Sequence, residues 1–208
     1  MNTLSQSGTV FIVDDDESFL RSISRLLRAA GYAVKFFESA EKFLEQHSSE
    51  MSGCVLTDLQ MPGLNGLELQ AALATSGNPL PVVFLSAQGD IPKTVQAMRC
   101  GAEDFLTKLS PKEKLLDAVG RAMARGVQER SERDELQTLR RRFEALTPRE
   151  LEVLELVVLG RLNKQIADDL GIHERTVKAH RTSLTRRLQV QSVAELTRLT
   201  ERVRLFKR

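Results

Sequence analysis

The chain has 208 residues, of which 41% are hydrophobic and 28% are charged, and its formal net charge is +2. This is the composition of an ordinary globular protein, and the length suits two small domains better than one large domain. There is no apolar run of about eighteen residues and no basic-then-apolar leader, so we expect neither a membrane span nor a secretory signal. We therefore expect a cytoplasmic protein that does not contact a membrane.

The cysteines and histidines exclude two kinds of site. Cys54 and Cys100 are too few for a disulfide framework or a zinc site, and His47, His173 and His180 are not spaced as metal ligands with them. We expect both cysteines to be reduced core residues.

Charge is distributed unevenly along the chain. The net charge is −3 in residues 1–125, +1 in residues 126–142 and +4 in residues 143–208. A basic excess in a small terminal domain indicates a polyanionic partner, most simply nucleic acid, although a solvated basic face is the alternative.

The first 125 residues alternate between predicted strands and helices. Short apolar or β-branched runs predict strands at residues 9–13, 33–37, 54–58, 82–86 and 104–107. Helical spacing predicts a first helix that ends at Gly31, and further helices at residues 40–46 and 66–75. Asp90 is expected to cap the fourth helix, and a capping box at Ser110 opens the fifth. This alternation predicts right-handed crossovers and a parallel sheet with helices on both faces.

Polar side chains stand at or just past the ends of four of these strands. The carboxyl ends of parallel strands form one binding edge, so we expect these side chains to meet. They are Asp14, Asp15, Asp58, Ser86 and Lys108. Three crowded carboxylates repel one another unless a hard divalent cation lies among them, and an all-oxygen ligand set suits magnesium. The alternative is a solvated acidic loop beside an unrelated lysine.

The same side chains predict phosphoryl chemistry at Asp58. A carboxylate is a competent nucleophile for forming an acyl phosphate, and a metal neutralises it enough to let an anionic phosphoryl group approach. Lys108 would pair with this carboxylate or its phosphate, and the Ser86 hydroxyl would donate to a phosphoryl oxygen.

Residues 8–125 resemble the receiver domain of two-component response regulators. The resemblance rests on the acidic cluster after the first strand, TDLQMPG around Asp58, NG at 65–66, LSA at 85–87 and the lysine at 108. It implies a flavodoxin-like fold and phosphorylation of Asp58 by a partner histidine kinase.

The receiver resemblance also implies a metal site and a switch. Mg²⁺ or Mn²⁺ would be held by Asp15, Asp58 and the main-chain carbonyl of Gln60, with Asp14 supporting the cluster. Asp16 remains an alternative for the role of Asp14 or Asp15. Ser86 and Phe105 would form the switch pair that reports phosphorylation to the fourth helix and fifth strand.

Two positions depart from the usual family pattern. Leu109 follows Lys108 where the family usually has a proline after a cis bond. A cis bond before leucine would cost ~2.5–4 kcal/mol, so we predict a trans bond. Phe105 lacks the hydroxyl of the more common tyrosine, so its switch would act through packing alone.

A helical linker is predicted at residues 126–143, continuing the fifth helix and frayed near Gly126. Leu136, Leu139 and Phe143 recur at helical spacing. This pattern allows a two-helix coiled coil, and a lone solvated helix is the alternative.

Four helices are predicted in the remaining residues. Thr147, Pro148 and Glu150 form the N-cap, N1 position and capping box of the first, which runs to Gly160. The others are predicted at residues 163–170, ended by Gly171, at residues 176–188, and after a capping box that spans residues 192–195. Two short helices joined around Gly171 predict a helix-turn-helix.

The third of these helices is strongly basic. It carries five cations, Arg175, Lys178, Arg181, Arg186 and Arg187, and no acid occurs between Glu174 and Glu195. Val177, Leu184 and Leu188 share its predicted buried stripe, which leaves a basic, hydrogen-bonding face suited to the major groove. A solvated charged face is the alternative.

Residues 144–205 resemble the LuxR-type DNA-binding domain through LTPRELEVLELVVLG, NKQIADDLGI and RTVKAHRTSLTRRLQV. The resemblance implies a recognition helix at residues 175–188, with Lys178, Ala179 and Thr182 toward base edges. The residues implied nearer phosphates are Asn163, Lys164, Thr176, Arg181 and Arg187. His173 stands at a position that often has a capping side chain, so we expect a weaker cap, and we expect His180 to be a packing residue rather than a ligand.

Both halves together resemble response regulators of the FixJ and NarL class, nearer the FixJ branch. The domains would be a receiver at 1–125, a linker at 126–143 and a DNA-binding domain at 144–208. The resemblance implies a homodimer formed on phosphorylation through the fourth helix and fifth strand. The dimer would bind an operator in double-stranded DNA, with RNA polymerase as a further partner. The chain would be a phosphoacceptor rather than an enzyme, with at most self-dephosphorylating activity.

Two alternatives stay open. Leu109 motivates a DNA-binding regulator that acts independently of phosphorylation. Asp14-x-Asp16 with Ser86 and Lys108 loosely resembles the nucleophilic-aspartate phosphatases, although the chain lacks a threonine two residues after Asp16 and a cap-sized insertion.

Overall fold

The computed structural model describes residues 8–87 and 91–205. The chain divides into two compact units between Ser131 and Glu132. None of the helices in the described ranges combines the length and the apolar character that crossing a membrane requires.

The first unit is built on a five-stranded parallel sheet in the order β2-β1-β3-β4-β5. The strands are β1 (Thr9–Val13), β2 (Ala33–Phe37), β3 (Gly53–Asp58), β4 (Val82–Ser86) and β5 (Asp104–Thr107). The register pairs Val13 with Thr57, and Asp58 with Leu85. The strand order thus places the ends of β1, β3 and β4 side by side, and the predicted parallel sheet is confirmed.

Helices cover both faces of this sheet. They are α1 (Glu17–Ala29), α2 (Ala40–Gln46), α3 (Gly66–Thr75), α4 (Ile91–Arg99) and α5 (Lys112–Glu144). Leu20 and Leu27 of α1 and Val119 of α5 pack on one face, and Phe43 of α2 and Leu69 of α3 pack on the other. Because both faces are covered, β3 and β4 are buried along their whole length and read as continuous apolar runs.

Element ends differ slightly from the sequence predictions. The third strand begins one residue earlier, at Gly53. The first helix has Ala30 as its C-cap, and the predicted Gly31 follows it with a φ of 91°, a conformation that glycine adopts at no steric cost. The predicted cap Asp90 lies outside the described residues.

The expectation of two core cysteines is wrong for one of them. Cys54 is fully buried in β3, whereas Cys100 is exposed. Cys100 directly follows α4, and its carbonyl is the group turned inward, because the buried Gln70 amide donates to the carbonyl oxygens of Ala97 and Cys100 at 3.2 Å.

The predicted fraying near Gly126 is also wrong, because α5 is continuous over 33 residues. Gly126 lies against the start of β3, where a Cβ would overlap the carbonyl oxygen of Gly53. One turn later, Arg130 donates to the carbonyl oxygen of Glu50 at 2.8 Å. Because Gly126 has no side chain, α5 can pack closely against β3.

The end of α5 belongs to the second unit. Leu139 is only 7% exposed, and Phe143 packs against the second unit's core. The apolar stripe that allowed a coiled coil is thus at least partly used within the chain itself.

The second unit contains the end of α5 and four further helices. They are α6 (Pro148–Val158), α7 (Asn163–Leu170), α8 (Glu174–Leu188) and α9 (Val193–Leu205). Thr147 and Glu150 form the predicted capping box of α6, and Gly171 is the left-handed C-cap of α7. His173 caps α8 without a side-chain hydrogen bond, as predicted. The predicted four-helix arrangement, with α7 and α8 joined around Gly171 as a helix-turn-helix, is confirmed.

The close approach of α5 to β3 generates a stability prediction. Gly120 and Gly126 lie in the same helix, but a Cβ at Gly120 would meet only the Tyr32 hydroxyl at an ordinary 3.6 Å. We expect Gly120→Ala to stabilise the protein by up to about 1 kcal/mol, since alanine favours a helix. Gly126→Ala should instead destabilise it by about 1–3 kcal/mol, because the backbone of Gly53 must move. Thermal unfolding followed by circular dichroism measures both changes. If Gly126→Ala stabilised the protein as Gly120→Ala does, α5 would not pack against Gly53 as closely as described.

Candidate functional site

Asp58 is fixed at the end of β3 by backbone and side-chain contacts. Its side chain accepts hydrogen bonds at Oδ1 from the backbone N–H of Leu59 at 2.6 Å and of Gln60 at 3.3 Å. The residue is 8% exposed. One oxygen is therefore held by the following loop, while the other faces the neighbouring charged groups.

Three carboxylates meet at this edge of the sheet. Ligand oxygens of Asp14, Asp15 and Asp58 lie within 4.8 Å of one another. Burial raises the pKa of Asp14, and the charge of Asp58 raises it further, against the lowering effects of Lys108 and the Asp16 N–H. The all-oxygen set fits a hard cation such as Mg²⁺, which would offset the repulsion.

Asp16 lies beside this cluster but has another contact. Its Oδ1 accepts from the backbone N–H groups of Ser18 at 2.8 Å and Phe19 at 3.1 Å, so it is the N-cap of α1. This contact favours Asp14 and Asp15 over Asp16 as the acidic pair. Asp16 is also the second aspartate of the Asp14-x-Asp16 pattern on which the phosphatase alternative rests, and in the structure it caps α1.

Lys108 joins two of the carboxylates. Its Nζ lies 2.7 Å from Asp14 Oδ2 and 2.9 Å from Asp58 Oδ2. Burial lowers the pKa of Lys108, but its close contacts with Asp14 and Asp58 and the negative charges of both carboxylates together outweigh burial and raise it overall. The ammonium also lies 4.5 Å from the ring centroid of Phe19, a contact that sequence analysis missed.

The Lys108–Leu109 peptide bond is trans, as predicted. The Lys108 backbone N–H donates to the Ser86 carbonyl at 2.8 Å, and this bond holds the lysine beside β4. Leu109 is 90% exposed. The leucine therefore leaves the position of Lys108 intact and presents an apolar side chain to solvent.

The loop after β3 is held by a second residue that sequence analysis missed. Glu41 of α2 accepts from the backbone N–H of Leu64 at 2.7 Å, and this bond lowers the pKa of Glu41. Asn65 then caps α3 with a full capping box. A Cβ at Gly66 would overlap the Asp58 carbonyl oxygen, so the Asn65-Gly66 pair lets the loop turn tightly beside Asp58.

The predicted switch residues lie on adjacent strands. Ser86 is 5% exposed at the end of β4, and Phe105 is half-buried on β5. The Phe105 ring stacks on Phe84 with centroids 5.8 Å apart and an interplanar angle of 24°. Phe105 is thus anchored to the strand that carries Ser86.

Helix α8 separates a buried stripe from an exposed polar face. Val177, Leu184 and Leu188 are fully buried in the second unit's core, as predicted. The residues implied toward base edges are all exposed: Lys178, Ala179 and Thr182. Thr176 is exposed as well, and Lys178 pairs with Glu174 at 3.0 Å.

The residues implied near phosphates are partly linked to one another. Arg181 donates to Asn163 Oδ1 at 2.8 Å, which joins α8 to the first residue of α7. Lys164 is exposed beside Asn163. His180 is half-buried, in keeping with a packing role.

Comparison with known families covers both units. Residues 10–120 match the response regulator receiver domain. Residues 144–200 match the bacterial regulatory proteins of the luxR family.

Similar proteins match over nearly the whole chain. The response regulator protein TodT of Pseudomonas putida is 39% identical over 199 residues, covering 96% of this chain and 88% of TodT. The transcriptional regulatory protein FixJ of Bradyrhizobium diazoefficiens is 33% identical over 199 residues, covering 96% and 97%.

Solved structures agree with these matches. The low-resolution structure of the response regulator StyR has a TM-score of 0.82 at 45% identity, covering 93% of this chain and 98% of StyR. Full-length FixJ from B. japonicum has a TM-score of 0.57 at 33% identity, covering 96% and 98%. The chain therefore belongs to the FixJ/NarL class of two-component response regulators, transcriptional regulators that join a receiver domain to a LuxR-type DNA-binding domain.

Proposed function

We propose that this protein is a DNA-binding transcriptional regulator controlled by phosphorylation of Asp58 by a histidine kinase. One observation carries the proposal: Asp58, two further carboxylates and Lys108 converge at the carboxyl edge of the sheet. That arrangement suits a phosphoacceptor, because the carboxylate is buried on one side and held by two N–H groups and an ammonium.

The reaction transfers a phosphoryl group from a phosphohistidine to an Asp58 carboxylate oxygen. The N–P bond breaks, an O–P bond forms, and the departing histidine nitrogen keeps the electron pair. Lys108 then pairs with the phosphorylated side chain, and the Ser86 hydroxyl donates to a phosphoryl oxygen. Asp15, Asp58 and the Gln60 carbonyl, with Asp14 in support, would hold Mg²⁺ or Mn²⁺, which would supply charge neutralisation for the incoming phosphoryl group.

The proposed output is a homodimer formed through α4 and β5. Ile91, Val95 and Met98 of α4 recur at helical spacing and are 76%, 44% and 44% exposed. Together they form an apolar strip, and a surface of this kind is typical of protein–protein contact. Phosphorylation would act on the strip through Ser86 and the stacked Phe105.

The proposed DNA contacts divide into two groups. Lys178, Ala179 and Thr182 of α8 read base edges in the major groove, whereas the second group contacts phosphates and sets the register. That second group is Asn163, Lys164, Thr176, Arg181 and Arg187.

Replacing the phosphoacceptor tests the first step. We expect Asp58→Asn to abolish labelling by acetyl phosphate with Mg²⁺, detected by intact-protein mass spectrometry. Asp16→Asn is the matched control, because it keeps an N-cap side chain on α1 and lies outside the carboxylate cluster. Labelling that persists in Asp58→Asn, or that is lost equally in both variants, would argue against Asp58.

Replacing one residue of the apolar strip tests the dimer. A charge within an apolar contact is costly to bury, so Met98→Glu should leave phosphorylation intact and keep the phosphorylated protein monomeric. Analytical ultracentrifugation with acetyl phosphate measures the change, and Val127→Glu at a 43% exposed position of α5 is the control. A Met98→Glu protein that still dimerises would place the interface elsewhere.

Salt dependence tests the assignment of a phosphate contact. Lys164→Ala should weaken binding to all duplexes and reduce the slope of log K against log [salt] by about 1. Fluorescence anisotropy over a salt series measures this slope. Lys112→Ala in the first unit should leave it unchanged, and an unchanged slope in Lys164→Ala would remove Lys164 from the phosphate contacts.

A further inference from the structure

A single buried carboxylate connects the start of α6 to the recognition helix. Glu150 is 4% exposed. Its Oε2 accepts from the Thr147 backbone N–H at 2.9 Å and the Thr147 hydroxyl at 3.0 Å. Its Oε1 accepts from the Ser183 hydroxyl of α8 at 2.7 Å. Glu150 therefore forms the capping box that the sequence predicts and, in addition, a hydrogen bond to α8.

Arg187 extends the same network one turn along α8. Its Nε lies 3.4 Å from Glu150 Oε1, and its Nη1 donates to the Ala145 carbonyl oxygen at 3.0 Å. Ser183 and Arg187 are four residues apart, so they lie on one face of α8. Glu150 thus holds the recognition helix at two points on one line.

Glu150 keeps its charge throughout the pH range in which proteins are usually folded. The hydrogen bond from Ser183 is the largest cause that lowers its pKa to about 2, followed by the Thr147 N–H and with a smaller effect of the Arg187 charge. Thr147 and Ser183 donate hydrogen bonds to the ionised carboxylate of Glu150, and this carboxylate stays ionised near neutral pH, so the network does not change with pH in that range.

The apolar core of the second unit does not fix the rotation of α8 about its axis as strictly as this hydrogen-bond network does. Val177, Leu184 and Leu188 bury α8, but dispersion and apolar burial have little directional preference and tolerate a small rotation of a helix about its axis. A hydrogen bond weakens steeply when its angle changes. Ser183 directly follows Thr182, so a rotation that breaks its bond to Glu150 also turns the predicted base-reading face.

We propose that Glu150 is a positioning residue for DNA recognition. Through Ser183 it sets the rotation of α8 that presents Lys178, Ala179 and Thr182 to base edges, and through Arg187 it orients a phosphate-binding guanidinium. This inference rests on the proposed role of α8 as the recognition helix.

Charge alone predicts the opposite effect of removing Glu150. DNA is a polyanion, so neutralising an acid in a DNA-binding domain should strengthen binding to any duplex. Loss of positioning should weaken binding to the preferred sequence and leave sequence-independent binding equal or stronger. The ratio of specific to non-specific affinity therefore separates a positioning residue from a nearby charge.

The test uses the full chain and two DNA probes. One is a duplex that the wild-type protein enriches from a randomised pool in the presence of acetyl phosphate, and the other is poly(dI-dC). Glu150→Ala and Ser183→Ala should each lower the affinity for the enriched duplex about tenfold, the effect expected from losing a hydrogen bond to a charged group, with poly(dI-dC) binding equal or tighter. Alanine is used at position 150 because a glutamine could still form a hydrogen bond with the Ser183 hydroxyl. The double variant should be no worse than Glu150→Ala, because both single changes remove the bond between Glu150 and Ser183.

Ser192→Ala is the control for stability. The Ser192 hydroxyl accepts from the Glu195 N–H at 3.1 Å at the start of α9, so this variant weakens a helix start in the same unit without touching α8. Its affinity ratio should match that of the wild type. A comparable fall in the ratio for Ser192→Ala would show that the ratio reports stability and would overturn the inference.

Other outcomes are equally decisive. A Glu150→Ala protein that keeps the wild-type preference, or single changes whose effects add in the double variant, would overturn the positioning role alone. A wild-type protein with no preference for any duplex would overturn the proposed function, and the positioning role with it.

Discussion

The electrostatic repulsion among three carboxylates that lie at one edge of the sheet is the main physical constraint on the first unit. The strand order places β1 beside β3, so Asp14, Asp15 and Asp58 leave the same edge with their oxygens within 4.8 Å of one another. Lys108 supplies one ammonium to two of them, and the Leu59 and Gln60 N–H groups supply two further donors. Burial, with a smaller contribution from the charge of Asp58, raises the pKa of Asp14 despite its contact with Lys108. A site in this condition gains from a cation and from an incoming group that engages the lysine.

In the second unit, the pKa of the buried carboxylate of Glu150 is lowered, whereas in the first unit the pKa of Asp14 is raised. Glu150 has donors on both oxygens and a guanidinium beside it, and its pKa falls to about 2. Asp58 shares its ammonium with Asp14 and has Asp15 nearby, whereas the donors to Glu150 come from α8 and from the start of α6. This contrast supports the different roles that we propose for two buried acids of similar exposure: phosphoryl acceptance by Asp58, and positioning of α8 by Glu150.

Local patterns made most of the fold predictable, and contacts between distant segments account for the rest. Apolar or β-branched runs locate the five strands to within one residue, and the signal is clear in β3 and β4 because both of these strands are buried along their whole length. The sequence could not distinguish Gly120 from Gly126, since only the approach of β3 makes the second one necessary. Cysteine is usually buried, which predicts a core position for Cys100, but the side chain is exposed and it is the carbonyl that faces inward to Gln70. Phe19 under the Lys108 ammonium and Glu41 on the Leu64 N–H are likewise long-range contacts without a local signature.

We propose that phosphorylation of Asp58 controls DNA binding. The most direct measurement is the affinity of the full chain for its enriched duplex, by fluorescence anisotropy, with and without acetyl phosphate and Mg²⁺. We expect the donor to tighten binding by the wild-type protein and to have no effect on Asp58→Asn, because only the former gains a phosphoryl group. Equal affinity of the wild-type protein with and without the donor, under conditions in which mass spectrometry shows Asp58 to be phosphorylated, would contradict the account.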